Sequence, residues 1–186
     1  MSELSSLYCK VKIKKSQLEE FLKSPLEKPQ LNKNWLDWWD SRRMYSKMEL
    51  TSELLRAYND NTNQEIIDGW IEYKQAMAFS DYDETTEEWH WGMMFFSENY
   101  TEMLPMFSFI ISLEKYVTES PENMAIVFPF FWGDNDVSAY IYFENGKALL
   151  SPKVQSTADV NPDLMNKTTE YLNKKWDDLS KEMDLD

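Results

Sequence analysis

Residues 125–150 read AIVFPFFWGDNDVSAYIYFENGKALL, and this stretch decides the fold. It contains three apolar runs, at 125–132, 137–143 and 147–150. The last two runs are joined by Asn145-Gly146, the strongest short-range hairpin signal, because both turn positions need a positive φ. Gly133–Asp136 supplies a turn between the first two, so the stretch predicts a three-strand antiparallel meander. Pro129 has no amide donor, so its strand is expected at a sheet edge or a bulge.

Two segments nearer the N-terminus also have the pattern of strands. At 7–13, apolar residues alternate with Tyr8, Lys10 and Lys12, which predicts a strand with one buried face. At 89–96 the sequence WHWGMMFF is apolar at nearly every position and predicts a buried strand. The acidic residues 81–88 are expected to form a loop that leads into it.

Helix signals in the first third of the chain are uneven. Ser16 with Glu19 three residues later fits a capping box, and Pro25 ends the short helix that follows. The segment 26–41, with its three tryptophans, is expected to be an irregular connection packed over the helices. Apolar residues three and four apart at 44–58 predict a second helix.

Three further helices are predicted downstream. Thr62 with Glu65 forms another capping box, and the apolar stripe behind it runs to Ala78. This helix is expected to lie antiparallel to the 44–58 helix, because the connection between them is short. Residues 97–116 predict a buried helix, with Pro105 tolerated near its start. Asn161, Pro162 and Asp163 begin the last helix as N-cap, first helical residue and first-turn acid.

Strands and helices are mixed without a repeating unit. The sequence therefore predicts one α+β domain over residues 1–186, with a mainly antiparallel sheet that includes the C-terminal meander. About five helices are expected to pack on one face of this sheet. The 42% apolar content and 28 aromatic residues are ample for a conventional core.

Charge is distributed unevenly along the chain. The formal net charge is −14, and residues 57–114 hold twelve acidic side chains against one basic side chain, Lys74. An acidic surface attracts cationic partners and repels nucleic acid. With only three arginines in the chain, direct binding to DNA or RNA is not expected.

Targeting and redox features are few. The longest nearly apolar run, 103–113, is too short for a membrane helix, and residues 1–6 do not have the pattern of a secretory signal. We therefore expect no membrane association and a cytoplasmic location. The single cysteine, Cys9, cannot form an internal disulfide, which fits a reducing compartment.

Motifs for catalysis or cofactor binding are lacking. His90 and Cys9 are the only residues of their types, and both are expected to be packed structural residues. The four glycines are too far apart for a phosphate-binding loop. Asp134-Asn135-Asp136 resembles the start of a calcium loop, but Ala139 stands where the turn glycine belongs. No catalytic residue, metal site or cofactor is predicted, and the protein is not expected to be an enzyme.

The best functional candidate is the stretch 81–91, DYDETTEEWHW, in which carboxylates alternate with aromatic residues. Carboxylates steer a basic partner, and Tyr and Trp often anchor interfaces. A charge run of this kind is also common as a solvated loop that promotes solubility. The predicted partner-binding residues are Asp81, Tyr82, Asp83, Glu84, Glu87, Glu88 and Trp89, completed by the turn residues Asp134 and Asp136.

In size, acidity and this aromatic and acidic stretch, the chain resembles the immunity proteins of bacterial polymorphic toxin and contact-dependent growth inhibition systems. The resemblance implies a non-catalytic inhibitor that binds the C-terminal domain of a cognate toxin. The toxin would be a cationic nuclease or nucleotide-acting enzyme, whose basic cleft the carboxylates cover.

Two alternatives remain open at the level of sequence. A nucleic-acid mimic of the anti-restriction or anti-CRISPR type would spread its carboxylates along one face, and DNA or RNA would displace it from its target. A carboxylate-dependent enzyme would need an acidic pair in a deep pocket, which sequence alone cannot locate.

Overall fold

A computed structural model of the chain describes residues 3–58 and 60–183. They form an α+β fold with one six-stranded antiparallel sheet and five α-helices. The strands are β1 (Ser5–Lys12), β2 (Ala78–Asp83), β3 (Glu88–Ser97), β4 (Met124–Phe128), β5 (Ala139–Glu144) and β6 (Lys147–Leu150). The helices are α1 (Lys15–Lys23), α2 (Lys33–Ser41), α3 (Asn63–Glu72), α4 (Tyr100–Ile111) and α5 (Pro162–Met183). The predicted fold class is confirmed.

The strand order in the sheet is β2-β3-β1-β4-β5-β6, which puts the first strand of the chain in the middle. β1 pairs with β3 through Cys9 opposite Trp91, and with β4 through Cys9 opposite Ala125. β2 and β6 are the two edge strands. β4 therefore lies inside the sheet and ends before Pro129, so the prediction of an edge or bulged strand there is wrong.

Helices cover both faces of the sheet. α1 to α4 pack on one face, where Leu7, Cys9 and Val11 of β1 point into a core rich in tryptophan and phenylalanine. α5 packs on the opposite face, where Leu164 and Leu172 join a second buried cluster with Tyr8, Ile126 and Phe128 among its members. The predicted one-sided packing and half-buried first strand are both wrong, because α5 covers the second face.

Capping signals predicted two helix starts correctly. The Thr62 and Glu65 capping box opens α3, and the Asn161 side chain accepts hydrogen bonds from the amides of Asp163 and Leu164 at the start of α5. At α1 the predicted Ser16 cap is wrong, because the helix begins at Lys15 without a side-chain cap.

The tryptophan-rich segment was predicted to be irregular, but it contains α2. The Asn32 side chain caps this helix by accepting a hydrogen bond from the Trp35 amide. The predicted helix at 44–58 is absent. Ser46 has a positive φ of 52°, and the only helical turn of this segment is a short 3-10 turn at Ser52–Leu55. The predicted antiparallel helix pair is therefore absent as well.

Two predicted helices are shorter than expected. α3 ends at Glu72 and is followed by a 3-10 turn and a left-handed residue, Met77, so that Ala78 already belongs to β2. α4 begins at Tyr100 and gives way to a 3-10 turn at Ser112–Lys115.

The meander is confirmed as β4, β5 and β6. Asn145 and Gly146 both have positive φ, 52° and 72°, as the hairpin turn requires. The connection between β4 and β5 is longer than the predicted four-residue turn. In the part of the chain that the structure describes, no helix is long and apolar enough to cross a membrane.

Candidate protein-binding surface

The predicted acidic loop is part of a β-hairpin at one edge of the sheet. Asp81 and Asp83 belong to β2, and Glu88 begins β3, so only Glu84 and Glu87 of the five carboxylates lie in the turn. Glu87 has a positive φ of 54°, and its carbonyl accepts a hydrogen bond from the Ile13 amide at 2.8 Å. The hairpin is thus held to the chain segment that follows β1 and is not a free loop.

Three of the five hairpin carboxylates are paired with lysines of the same chain. Asp81 bonds to Lys175 of α5 at 2.7 Å, and Glu88 bonds to Lys10 of β1 at 3.3 Å. Glu84 bonds to Lys15 at the start of α1. Paired opposite charges at these distances largely cancel each other at longer range. The predicted acidic patch is therefore mostly neutralised within the molecule.

The other two hairpin carboxylates differ from each other. Asp83 accepts hydrogen bonds from the amides of Thr85 and Thr86, at 2.8 and 3.3 Å, and these bonds lower the pKa of its carboxyl group. Asp83 therefore stabilises the turn. Across residues 3–58 and 60–183, Glu87 alone of the five has a side chain with neither an ion pair nor a hydrogen bond.

Neither of the two predicted aromatic anchors of the hairpin is fully exposed to solvent. Trp89 is 1% exposed, belongs to the core beneath α1 to α4, and donates its indole N–H to the Ser80 hydroxyl at 2.9 Å. Tyr82 donates its hydroxyl to the Ile13 carbonyl at 2.9 Å and is partly buried against the same core. The burial of Trp89 argues against the predicted partner contact, because its ring points into the core on the α1 to α4 side of the sheet.

The second predicted turn, with Asp134 and Asp136, does not lie beside the hairpin. Asp134 and Asp136 lie in the β4–β5 connection, beside the Ser5 end of β1, whereas the β2–β3 turn lies beside its Lys12 end. Seven residues of strand separate these ends, roughly 23 Å at about 3.3 Å per residue. The two turns are therefore at opposite ends of the sheet.

His90 lies in a polar cluster between the sheet and α5. Its Nδ1 shares a 2.8 Å hydrogen bond with the Tyr8 hydroxyl, and its ring stacks on Tyr171 with centroids 4.3 Å apart. The Tyr171 hydroxyl donates to Asp81 at 2.8 Å. Burial of the imidazole, which is 9% exposed as a residue, lowers the pKa of His90. The cluster fastens α5 to the sheet and is closed to a substrate.

Cys9 is fully buried, as predicted from its strand face. Burial raises the pKa of its thiol, which disfavours the nucleophilic thiolate. Among the described residues, no cluster of three or more possible ligands could hold a metal ion.

α3 presents a different acidic surface, which the sequence analysis missed. Its residues Glu65, Asp68 and Glu72 are exposed, and the helix has no basic residue. None of the three carboxylates forms an ion pair with any residue of the described ranges. Beside them, Ile71 and Tyr73 expose 37% and 52% of their surface. Ile71 belongs to the apolar stripe predicted to run behind Thr62 to Ala78, whereas in the structure it faces solvent.

This face of α3 is poorly optimised for stability. Gly69 lies in the helix interior, where glycine costs about 1 kcal/mol relative to alanine. Glu65 with Asp68 and Asp68 with Glu72 are like-charge neighbours, each unfavourable by about 0.2–0.5 kcal/mol. Glu72 also ends the helix, where the helix dipole disfavours a negative charge. The capping box and the Gln64–Asp68 hydrogen bond offset part of this cost, and the unfavourable features that remain on this exposed face are typical of functional sites.

An open groove of about 380 Å³ runs along this helix. Its lining consists of Tyr58, Asn61, Glu65, Ile66, Gly69, Trp70 and Tyr73. The aromatic side chains are held in place, because the Trp70 indole donates to the Tyr58 hydroxyl at 3.2 Å and the Tyr73 hydroxyl donates to Gln75 at 2.7 Å. The groove therefore has aromatic walls beside one carboxylate, Glu65, which forms no ion pair with any described residue but accepts a hydrogen bond from the Thr62 amide.

A second cleft, of about 390 Å³, lies between residues 27–35, the end of α4 and β6. Four of its five charged side chains are already paired, Lys115 with Glu27 and Lys147 with Glu114, and the fifth is Lys28. Glu114 and Asn34 also bond to the backbone of β6 and so cover this sheet edge. The cleft therefore supports the fold and offers less free charge than the α3 face.

Comparison of the chain with family models, with curated proteins and with solved structures gives no match.

Proposed function

We propose that this protein is a non-catalytic inhibitor that binds and neutralises a cationic partner protein, as an immunity protein binds its toxin. The observation that carries the proposal is the exposed face of α3, where carboxylates without lysine or arginine partners stand beside the exposed Tyr73 and Ile71. Carboxylates of this kind accelerate association with a basic partner, and aromatic side chains supply contact area in the interface.

The α3 face replaces the hairpin as the centre of the proposed interface. The hairpin carboxylates Asp81, Glu84 and Glu88 already have lysine partners, so binding a toxin through them would require breaking internal ion pairs. Glu87 has no such partner and is retained as a peripheral contact. The proposed partner is the basic C-terminal domain of a toxin, of nuclease type, and the proposed location is the cytoplasm.

A role without catalysis is supported by the positions of the two side chains best suited to chemistry. Both His90 and Cys9 are buried in the sheet, and burial shifts each pKa away from the charged form. Direct nucleic-acid binding and a bound cofactor form no part of the proposal.

The test is co-expression with the C-terminal domain encoded by the open reading frame immediately upstream. Growth rescue together with co-elution on size exclusion would support the proposal. The variant Glu65→Gln/Asp68→Asn/Glu72→Gln should slow association and reduce its salt dependence, because it removes the steering charges.

A matched control removes the same number of charges from α5, in the variant Asp177→Asn/Asp178→Asn/Glu182→Gln. This variant should associate at close to the wild-type rate. Equal effects of the two triple variants would assign the binding to net charge and refute a role for the α3 face.

The nucleic-acid mimic has less support, because the lysine partners of the hairpin carboxylates interrupt any row of negative charge there. Competition separates the two proposals. If duplex DNA releases the partner from this protein, and more DNA releases more partner, the result would favour the mimic.

A further inference from the structure

Gly69 is exposed in the interior of α3, and the fold does not require a glycine there. A Cβ atom at this position would meet nothing within 4 Å, and the backbone does not have a positive φ. Any side chain would therefore fit, and most would make a more stable helix. The absence of a side chain leaves the floor of the groove open.

Helical geometry places Gly69 between two different surfaces. Residues three and four apart are neighbours on a helix, so Gly69 adjoins Glu65 and Glu72 on one side and Ile66 and Tyr73 on the other. A group lying over Gly69 would therefore touch carboxylates along one edge and an aromatic ring along the other.

The guanidinium group of arginine fits this pair of surfaces. It is flat and always charged, it stacks on aromatic rings, and it donates hydrogen bonds in a fork that matches a carboxylate. The ammonium group of lysine is compact and strongly hydrated, and it gains less from a flat aromatic wall.

We infer that the α3 groove is the seat of an arginine side chain of the partner protein, stacked against Tyr73 beside Trp70 and bonded to the Glu65 carboxylate oxygen that the capping box leaves free. The identity of the partner as a basic toxin domain rests on the proposed function. The seat itself rests on the open glycine, the aromatic walls and a carboxylate without a lysine or arginine partner.

The first experiment uses the isolated protein and a small probe. In an amide and indole NMR titration, N-acetyl-arginine amide should shift the resonances of Gly69, Trp70 and Tyr73, with a dissociation constant in the millimolar range. The neutral isostere N-acetyl-citrulline amide should not. Equal shifts with the citrulline compound, or shifts spread over the whole surface, would refute the inference. Equal or larger shifts with N-acetyl-lysine amide would refute the choice of arginine.

Gly69→Leu fills the groove without disturbing the fold, because open space surrounds the position. This variant should lose the arginine-dependent shifts and have a thermal midpoint at or above that of the wild type, because leucine is the better helix former. Gln64→Leu is the matched control, since Gln64 is exposed on the same helix and does not line the groove. It should retain the shifts, and retention by Gly69→Leu as well would overturn the inference.

A second experiment separates this inference from the proposed function. With a toxin domain that co-elutes with the wild type, Gly69→Leu should weaken binding about tenfold or more, as expected for a central interface position. If Gly69→Leu binds that domain as tightly as the wild type does, the groove inference is wrong and the inhibitor function stands. If no toxin domain binds the wild type but the arginine probe still shifts the groove, the groove stands and the toxin assignment is wrong.

Discussion

Replacing Gly92 with alanine should destabilise this protein more than any other single-methyl change. Gly92 lies in β3, opposite Tyr8 of β1 and Phe79 of β2. A Cβ atom there would lie 2.3 Å from the Leu7 carbonyl oxygen and 2.8 Å from the Phe79 ring. The ring can move, but the carbonyl belongs to the backbone of the central strand and cannot retreat alone.

The expected loss of stability follows from this steric overlap. Non-bonded heavy atoms are at their optimum near about 3.5 Å, so β1 and β3 would have to separate locally by about 1 Å. Overpacking in a core costs about 1–3 kcal/mol, and here it also stretches ladder hydrogen bonds, so we expect about 3 kcal/mol or more. For a chain of this size, that loss lowers the thermal midpoint by about 6–12 °C.

The assay is urea and thermal unfolding of Gly92→Ala beside Gly69→Ala. The two variants add the same methyl group, but at position 69 it meets open space and removes the flexibility of a helical glycine. Gly69→Ala should therefore gain about 0.5–1 kcal/mol. The reasoning fails if the free energy of unfolding of Gly92→Ala lies within about 0.5 kcal/mol of the wild-type value, because the close approach of β1 to β3 would then be absent.

Three further predictions concern polar contacts. Tyr171→Phe removes the hydrogen bond that the tyrosine hydroxyl donates to the Asp81 carboxylate, and it should lower the free energy of unfolding by about 1–2 kcal/mol. An unchanged midpoint in urea unfolding would contradict this contact. Lowering the pH from 7.5 to 5.5 should reduce stability through His90. Burial lowers the pKa of His90 in the folded state, so below about pH 6.5 the unfolded chain takes up a proton before the folded chain does. The stability that the neutral imidazole contributes above about pH 6.5 is therefore lost as the pH falls. His90→Gln should be less sensitive in that window, and an identical pH profile would exclude His90 as the cause. Asn34→Ala removes two hydrogen bonds to the backbone of Leu150 on the β6 edge, and it should lower the free energy of unfolding by about 1–3 kcal/mol. The uncovered edge should also promote self-association, which sedimentation at rising protein concentration measures. A stable monomer at all concentrations would show that the edge has other protection.

The elements predicted correctly from sequence are those with a local physical cause. Asn145-Gly146 supplies positive φ at two adjacent positions, and the Asn161 side chain caps α5, and each signal acts within a few residues. The burial of Cys9 followed from alternation along a single strand. Such features do not depend on how distant parts of the chain meet.

The wrong predictions involve contacts between distant segments. Periodicity at 44–58 resembled a helix, but the segment lies across α2, where the Trp39 indole donates to the Met48 carbonyl and the Lys47 ammonium donates to the Trp39 carbonyl. Tertiary packing overrode the local pattern there.

The charge of the 81–88 stretch was misjudged for the same reason. Glu88 faces Lys10 because β1 and β3 pair side by side, although 78 positions separate the two residues in the sequence. Linear charge density therefore overstated the acidic surface at the hairpin. It also gave no reason to single out α3, whose three carboxylates form no ion pair with any residue that the structure describes.

The central position of β1 has a consequence for synthesis on the ribosome. β1 is synthesised before its partners β3 and β4, which begin at residues 88 and 124. It therefore cannot complete its pairing until both of those strands have been made. The β2–β3 hairpin and the β4–β5–β6 meander are local and can form separately, after which β1 joins them into one sheet. Pairings over such long sequence separations slow folding. Until that step, the nascent chain offers an unpaired apolar strand that chaperones are suited to protect.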